Sequence, residues 1–139
     1  MATLLIVDDD DKIRDTLSDL LSETHECHTA DRAEQALAYL ELESYDVVIT
    51  DIAMPGLSGH EILKRIKEQH PTTPVIVISG TSGGNAARDL IAAGAYAYIA
   101  KPFYLDDVES TVVRAIARHQ ELTSTAKQNP APADSPEPA

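Results

Sequence analysis

Acidic side chains follow two apolar segments of the sequence at the points where those segments end. Asp8 and Asp9 come directly after the segment 4–7, and Asp51 follows the segment 47–50. If both segments are parallel strands of one sheet, their carboxyl ends meet at one edge, so the three carboxylates are expected to lie close together. Two unit charges about 5 Å apart repel each other by roughly 3 kcal/mol at an effective dielectric near 20. The sequence therefore predicts that something positive neutralises this group.

Two kinds of cation could do so. Carboxylate oxygens with no His or Cys beside them suit Mg²⁺, which also keeps waters and often a phosphate oxygen. Lys101 follows another apolar segment and supplies an ammonium that could face the same phosphate, and Ser79 supplies a hydroxyl at the same edge. The neighbouring Asp10 and Asp11 are interpreted as capping and dipole partners of the helix that follows them.

Other chemistries have weaker support in the sequence. The five histidines show no paired ligand spacing, which favours surface positions over a zinc site; they are His25, His28, His60, His70 and His119. No glycine-rich nucleotide loop is present, so a bound nucleotide is not indicated as the phosphate source. Ser79 is not in a G-x-S-x-G turn, and no His–acid pair stands near it in the sequence, which disfavours a serine hydrolase.

Five β-type segments alternate with segments of helical period. Four are continuously apolar, which predicts central strands buried on both faces, whereas the segment 26–29 alternates with polar residues and predicts an edge strand. The four central strands are predicted at 4–7, 47–50, 75–78 and 96–99. Strict βα alternation implies right-handed crossovers and a doubly wound α/β fold, with helices on both faces of a five-stranded parallel sheet.

Two helix starts carry local signals. Asp31 followed by Glu34 forms a capping-box pattern, which predicts the start of the second helix. Gly83 and Gly84 precede the fourth helix, which is predicted to run to about Ala93 and to be loosened by these glycines.

The length of 139 residues predicts one domain, and 43% hydrophobic with 24% charged residues is a globular balance. The formal net charge of -12 disfavours direct nucleic-acid binding. A single cysteine, the lack of a secretory signal and the lack of a membrane-length apolar run lead us to expect a cytoplasmic protein with no membrane partner. We predict a domain at residues 1–120 and a disordered Pro/Ala-rich tail or linker at 121–139.

Over about residues 3–119 the sequence resembles the receiver domain of bacterial two-component response regulators. The resemblance rests on four motifs in the family's order: the Asp8-Asp9 pair, Asp51 in the segment 51–59, Ser79-Gly80, and Lys101-Pro102-Phe103. It implies a flavodoxin-like sheet of strand order 2-1-3-4-5. It also implies phosphoryl transfer to Asp51 from the phosphohistidine of a sensor histidine kinase or a phosphotransfer protein.

The same resemblance assigns roles at the site. It implies Mg²⁺ bound by Asp9, Asp51 and the backbone carbonyl of Ala53, with Asp8 acting mainly through a coordinated water. Lys101 and Ser79 would contact phosphoryl oxygens, and the Lys101–Pro102 peptide bond would be cis. No substrate turnover is expected, because receivers catalyse only their own phosphorylation and dephosphorylation.

The resemblance further implies a conformational switch. Ser79 would move toward the phosphoryl group and Tyr98 would rotate, which would remodel the surface of the fourth helix, fifth strand and fifth helix. That surface would bind a downstream protein or a second copy of the chain. Kinase docking is predicted at the rim of the site, with the apolar candidates Ile13, Pro102, Phe103 and Tyr104.

Three departures and alternatives stay open. Ala53 and Thr81 stand where receivers often have polar residues that order hydrolytic water, so slow phosphate loss is predicted. The chain could instead be the receiver portion of a longer transcription regulator. A Mg²⁺-dependent phosphohydrolase with an aspartyl-phosphate intermediate is the other alternative, although Ala53 stands where that class usually has a second acid.

Overall fold

The computed structural model describes residues 2–52, 59–80 and 84–128, and it describes no side chains at 59, 84–87 and 125–128. The strands are β1 (Thr3–Val7), β2 (Glu26–Ala30), β3 (Val47–Asp51), β4 (Val75–Ser79) and β5 (Ala97–Ala100). The helices are α1 (Asp11–Leu21), α2 (Ala33–Leu42), α3 (Gly59–Gln69), α4 (Gly84–Ala92) and α5 (Leu105–Gln128). Within the described ranges, no helix is long and apolar enough to cross a membrane.

The five strands form one parallel sheet in the order β2-β1-β3-β4-β5, which confirms the predicted doubly wound fold and its strand order. Val7 is in register with Ala30 on one side and with Thr50 on the other. Ser79 is in register with Ala100. The carboxyl ends of the strands are therefore level, and the residues that follow them meet at one edge of the sheet.

Two apolar clusters cover the two faces of the sheet. Leu5 and Val7 of β1 belong to a cluster with buried residues of α2, α3 and α4, whereas Leu4 and Ile6 belong to a cluster with buried residues of α1 and α5. Alternate side chains of a strand point to opposite faces, so an apolar residue at every position is what a sheet covered on both faces requires.

The prediction that the segment 96–99 is a central strand was wrong. β5 lies at an edge of the sheet, and its residues are half-buried or exposed. Its Ala and Tyr side chains look continuously apolar in sequence, but an edge strand pairs on one side only. The prediction of an edge strand for the segment 26–29 is confirmed by β2 at the opposite edge.

The start of α2 differs from the predicted capping box. Its N-cap is Arg32, which makes no capping hydrogen bond with its side chain. The carboxylate of Asp31 instead pairs with the guanidinium of Arg32, and the backbone N–H of Asp31 donates to Gln35 Oε1 at 3.0 Å. Reciprocal capping by Asp31 and Glu34 is therefore replaced by one hydrogen bond that the side chain of Gln35 accepts.

α5 runs through Gln128 and so passes the predicted boundary at residue 120. The segment 121–128 contains no proline or glycine, and the first proline after it is Pro130. Proline is the residue that a helix interior tolerates least, so its absence from this segment lets α5 continue. The remaining tail, 129–139, lies outside the described residues.

A polar network ties α5 to the opposite, amino-terminal edge of the sheet. His119 Nδ1 lies 2.7 Å from the carbonyl oxygen of Thr72, and its Nε2 lies 3.1 Å from Asp46 Oδ1. The other carboxylate oxygen of Asp46 accepts the backbone N–H of Thr3 at 2.7 Å. One side chain of α5 thus contacts the α3–β4 and α2–β3 connections.

Candidate functional site

The site is centred on two buried carboxylates that share one ammonium group. Asp8 follows β1 and is 2% exposed, and Asp51 ends β3 and is 5% exposed. Lys101, which follows β5, places its Nζ 2.8 Å from Asp51 Oδ2 and 3.1 Å from Asp8 Oδ2. The positive charge that the sequence called for is thus supplied, in part, by Lys101.

Asp9 adds a third carboxylate to the group. One oxygen from each of Asp8, Asp9 and Asp51 lies within 4.8 Å of the others, and Asp9 is exposed while its two partners are buried. When all three carboxylates are ionised, the single positive charge of Lys101 leaves the group with a net negative charge. All-oxygen ligands of this kind suit a hard divalent cation such as Mg²⁺. The residues present therefore fit the metal that the sequence predicted.

Burial and neighbouring charge shift the protonation of these groups. Burial raises the pKa of Asp8, and the charge of Asp51 adds to the rise, against lowering contributions from the Asp10 backbone N–H and from Lys101. Burial by itself would lower the pKa of Lys101, but the hydrogen bonds and charges of Asp51 and Asp8 outweigh it and raise that pKa. Lys101 is therefore held in its charged form.

The β1–α1 connection holds Asp8 in position. Asp8 Oδ1 accepts the backbone N–H of Asp10 at 2.9 Å. Asp10 is the N-cap of α1, with its carboxylate accepting the N–H of Lys12, as predicted. Arg14 donates from its guanidinium to the carbonyl oxygen of Asp8 at 2.7 Å and also pairs with Asp11.

Arg14 is a positioning residue that the sequence reasoning missed. Its signal was its place three residues after Asp11, where a helical ion pair forms. Its contact with the Asp8 carbonyl had no signal in sequence spacing.

The β4 and β5 ends bring the remaining polar groups to the same edge. Ser79 is fully buried, and its carbonyl oxygen accepts the backbone N–H of Lys101 at 2.9 Å. The Lys101–Pro102 peptide bond is cis, as the resemblance implied. Ala53 and Thr81, which carried the predicted metal ligand and the predicted slow phosphate loss, lie outside the described residues.

The response regulator receiver domain model matches residues 4–113. This chain belongs to the response regulator receiver family. The predicted resemblance to two-component response regulators is thereby confirmed.

Receivers with solved structures have the same fold as this chain. NtrX from Brucella abortus in complex with ATP superposes with a TM-score of 0.84 at 38% identity, covering 90% of this chain and 29% of that one. A receiver domain protein from Clostridium thermocellum gives a TM-score of 0.82 at 34% identity, covering 88% of this chain and 99% of that one.

Among curated relatives, the chain is 39% identical over 117 residues to the DNA-binding transcriptional regulator NtrC of Salmonella typhimurium. That match covers 84% of this chain and 25% of the regulator. The receiver chain therefore spans about a quarter of the length of the curated relatives it matches.

The residues predicted for switching and docking fall into two environments. Tyr98, Pro102, Phe103 and Tyr104 line one cavity of about 520 Å³ between β5 and α5. Tyr104 is 79% exposed, whereas Phe103 packs in part against the cluster that α1 and α5 cover. Ile13 also packs in part against that cluster and is not among the residues lining the cavity.

The prediction that the histidines are simple surface residues was wrong for His28 and His119. The side chain of His119 is 16% exposed and bridges two connections, as described above. The side chain of His28 is 24% exposed and contacts two glutamates and a tyrosine. Apart from Glu26, which is two residues from His28 on β2, their partners lie on other parts of the fold, so ligand spacing along the chain could not reveal them.

Proposed function

We propose that this receiver is a phosphorylation-activated switch whose phosphoryl acceptor is Asp51. The observation that carries the proposal is the buried Asp51 carboxylate, held 2.8 Å from Lys101 Nζ beside the oxygens of Asp8 and Asp9. The donor would be the phosphohistidine of a histidine kinase or phosphotransfer protein. A carboxylate oxygen of Asp51 forms a bond to phosphorus as the phosphorus–nitrogen bond breaks, and the leaving imidazole nitrogen keeps the electron pair and takes up a proton from water.

Mg²⁺ would be held by Asp8, Asp9 and Asp51 with the backbone carbonyl of Ala53. When bound, it neutralises charge that develops on the transferred phosphoryl oxygens. The chain's own contribution is to keep the Asp51 carboxylate desolvated and oriented, because it ends a buried strand and is fixed by Lys101.

Lys101 has a second role once Asp51 is phosphorylated. Its ammonium would exchange a contact with a carboxylate for one with a phosphoryl oxygen, a charge-assisted bond in both states. The hydroxyl of Ser79, at the end of β4, would bind another phosphoryl oxygen. Tyr98, which packs in part against the cluster covered by α2, α3 and α4, would then change position and reshape the β5–α5 surface.

Partners follow from the surfaces at this edge. We place kinase docking on the β5–α5 loop at Pro102, Phe103 and Tyr104, because the exposed Tyr104 ring beside the site offers apolar area. Ile13 would contribute only its exposed part. A downstream protein or a second copy of the chain would bind the reshaped face.

Incubation of the chain with acetyl phosphate and Mg²⁺, followed by intact-mass measurement, tests the proposal. The wild type should gain one phosphoryl group. Asp51→Asn should abolish the gain, and Asp19→Asn, which changes an exposed carboxylate on α1, should retain it. Full labelling of Asp51→Asn at another residue would refute the assignment of Asp51.

We also propose that the chain acts as the receiver portion of a longer transcription regulator. The match to NtrC covers 84% of this chain but only 25% of that DNA-binding regulator. α5 supports this view, because it continues as a helix past the end of the family match at residue 113. The genomic reading frame that encodes the chain tests it: a frame that closes shortly after residue 139 would contradict it.

A further inference from the structure

A second group of metal-ligating side chains lies on the edge strand β2, apart from the aspartate site. Glu26 and His28 are two residues apart on β2 and so point to the same face. Glu43 follows the last turn of α2. One ring nitrogen of His28 and one carboxylate oxygen from each glutamate lie within 4.8 Å of one another.

The imidazole of His28 is held by a buried tyrosine. Tyr45 is 2% exposed, its hydroxyl oxygen lies 2.7 Å from His28 Nδ1, and the two rings meet edge-on at 88°. Nε2 lies 2.7 Å from Glu26 Oε2, a distance at which Nε2–H donates to the carboxylate. A metal at Nε2 would displace that proton, and Nδ1–H would then donate to the Tyr45 hydroxyl. An outer partner that fixes the tautomer and ring orientation is the usual support of a metal-binding histidine.

The two glutamates have no lysine or arginine to compensate them. In the described part of the chain, the ion pairs of Glu26 and Glu43 are both with His28, Glu26 at Nε2 and Glu43 at Nδ1, 3.6 Å away. The two carboxylates lie within 4.8 Å of each other and therefore repel. A cation between them would remove that repulsion, and the net charge of -12 raises the local concentration of cations.

We propose that Glu26, His28 and Glu43 form a binding site for a zinc-class divalent ion. One imidazole nitrogen with two carboxylate oxygens suits Zn²⁺, whereas Mg²⁺ prefers oxygen ligands alone. Three protein ligands leave a fourth position for water. The site is distinct from the proposed magnesium site in its ligands, its place in the fold and its preferred metal.

The two glutamate side chains are more exposed than the histidine ring, so they can move while the ring stays in place. The Glu26 and Glu43 side chains are 56% and 52% exposed, and that of His28 is 24% exposed. Glu26 already lies at Nε2, and the exposed side chain of Glu43, now at Nδ1, would turn toward Nε2 to reach the ion. Binding would join β2 to the α2–β3 connection and would compete with protonation of His28.

Calorimetric titration of the full chain with Zn²⁺, in buffer with saturating Mg²⁺ to occupy the aspartate site, tests this proposal. The wild type should bind one Zn²⁺. Glu43→Gln should weaken binding at least ~10-fold, and His28→Asn should abolish it. The matched controls Glu41→Gln and His25→Asn should titrate as the wild type does.

Two results would overturn the proposal: absence of Zn²⁺ binding by the wild type, or unchanged binding by Glu43→Gln. Glu43 is exposed, so this variant remains informative even if His28→Asn fails to fold. A ¹⁵N spectrum gives an independent readout, in which Zn²⁺ should shift the His28 Nε2 resonance. A shift confined to another histidine would count against the site.

Discussion

At the scale of single residues, Lys101 holds the aspartate site together in the absence of phosphate. It follows β5 and contacts the carboxylates at the ends of two other strands, Asp8 after β1 and Asp51 in β3. These three residues could be predicted from the sequence because the carboxyl ends of parallel strands lie at one edge of the sheet. The same reasoning could not find Arg14, since its contact is with a backbone carbonyl oxygen.

Replacing Lys101 with Met should destabilise the metal-free chain by about 3 kcal/mol, because two buried carboxylates would lose their paired cation. Urea denaturation measures this change, and Mg²⁺ should restore part of the lost stability. Phosphorylation by acetyl phosphate should also slow at least ~100-fold, the usual cost of one oriented charge-stabilising group. Lys64→Met, on the exposed side of α3, is the control and should leave both measurements near wild type. Unchanged phosphorylation of Lys101→Met would contradict its role toward the phosphoryl group.

The buried hydroxyl of Tyr45 should make the stability of the fold depend on pH. Burial raises the pKa of Tyr45 to about 12, with smaller contributions from the charge of Glu43 and other neighbours. The folded chain thus holds this proton more tightly than the unfolded chain, whose tyrosine pKa is about 10. The resulting stability is fully present below pH ~10 and is lost as the pH rises through ~12, by about 2–3 kcal/mol in all.

Tyr45→Phe should therefore lose less stability than the wild type between these pH values, as measured by urea denaturation at each pH. Tyr104→Phe removes an exposed hydroxyl and is the matched control. If the two variants give the same pH curve, burial of the Tyr45 hydroxyl is not the cause.

At the scale of elements, the sequence predicts best where one element's own pattern decides the structure. β1, β3 and β4 are continuously apolar and are central strands, as predicted. β5 has a similar apolar pattern, but its edge position depends on the absence of a further strand beside it. The start of α2 was not predicted because Asp31 pairs with Arg32 and Gln35 instead of forming a capping box with Glu34.

The Glu26–His28–Glu43 group shows a further limit of sequence reasoning. Glu26 and His28 are neighbours on β2, but Glu43, the residue after α2, joins them only when the chain folds. Predictions from motif spacing compare neighbours in sequence, so they treated His28 as an isolated surface residue.

The turn between α4 and β5 depends on Gly94. Its φ of 114° lies in a region that L side chains rarely adopt, and a Cβ there would lie 3.1 Å from Lys67 Cγ. Gly94→Ala should destabilise the chain by about 1–3 kcal/mol in thermal or urea unfolding. Gly80→Ala is the control, because its Cβ would meet Lys101 carbons only at 4.0 Å.

A double-mutant cycle separates the two causes. Adding Lys67→Ala should recover the part of the cost due to crowding and leave the part due to φ. Equal stabilities of Gly94→Ala and the wild type would show that the backbone there relaxes without cost.

At the scale of the whole molecule, the two ends of the sheet have different tasks. The carboxyl-terminal edge holds the aspartate site, and the amino-terminal edge holds the network of His119, Thr72 and Asp46. His119→Ala should therefore lower the free energy of unfolding by about 1–3 kcal/mol, since Asp46 and the Thr72 carbonyl lose a partner. Labelling of Asp51 by acetyl phosphate should proceed at the wild-type rate.

Arg118→Ala, a change at a more exposed neighbour on α5, is the control for this measurement. A large loss of labelling in folded His119→Ala would show that the two ends of the sheet are coupled more tightly than their separation suggests.

The attachment of α5 at His119 has a mechanical consequence. At a rise of 1.5 Å per residue, about 21 Å of helix separates Leu105, beside the cavity, from His119, and about 14 Å separates His119 from Gln128. If α5 turns as a rigid helix about its contact at His119, its two ends move in opposite directions. A sideways displacement of α5 near Leu105 would then reappear at Gln128 in the opposite direction and at about two-thirds of its size.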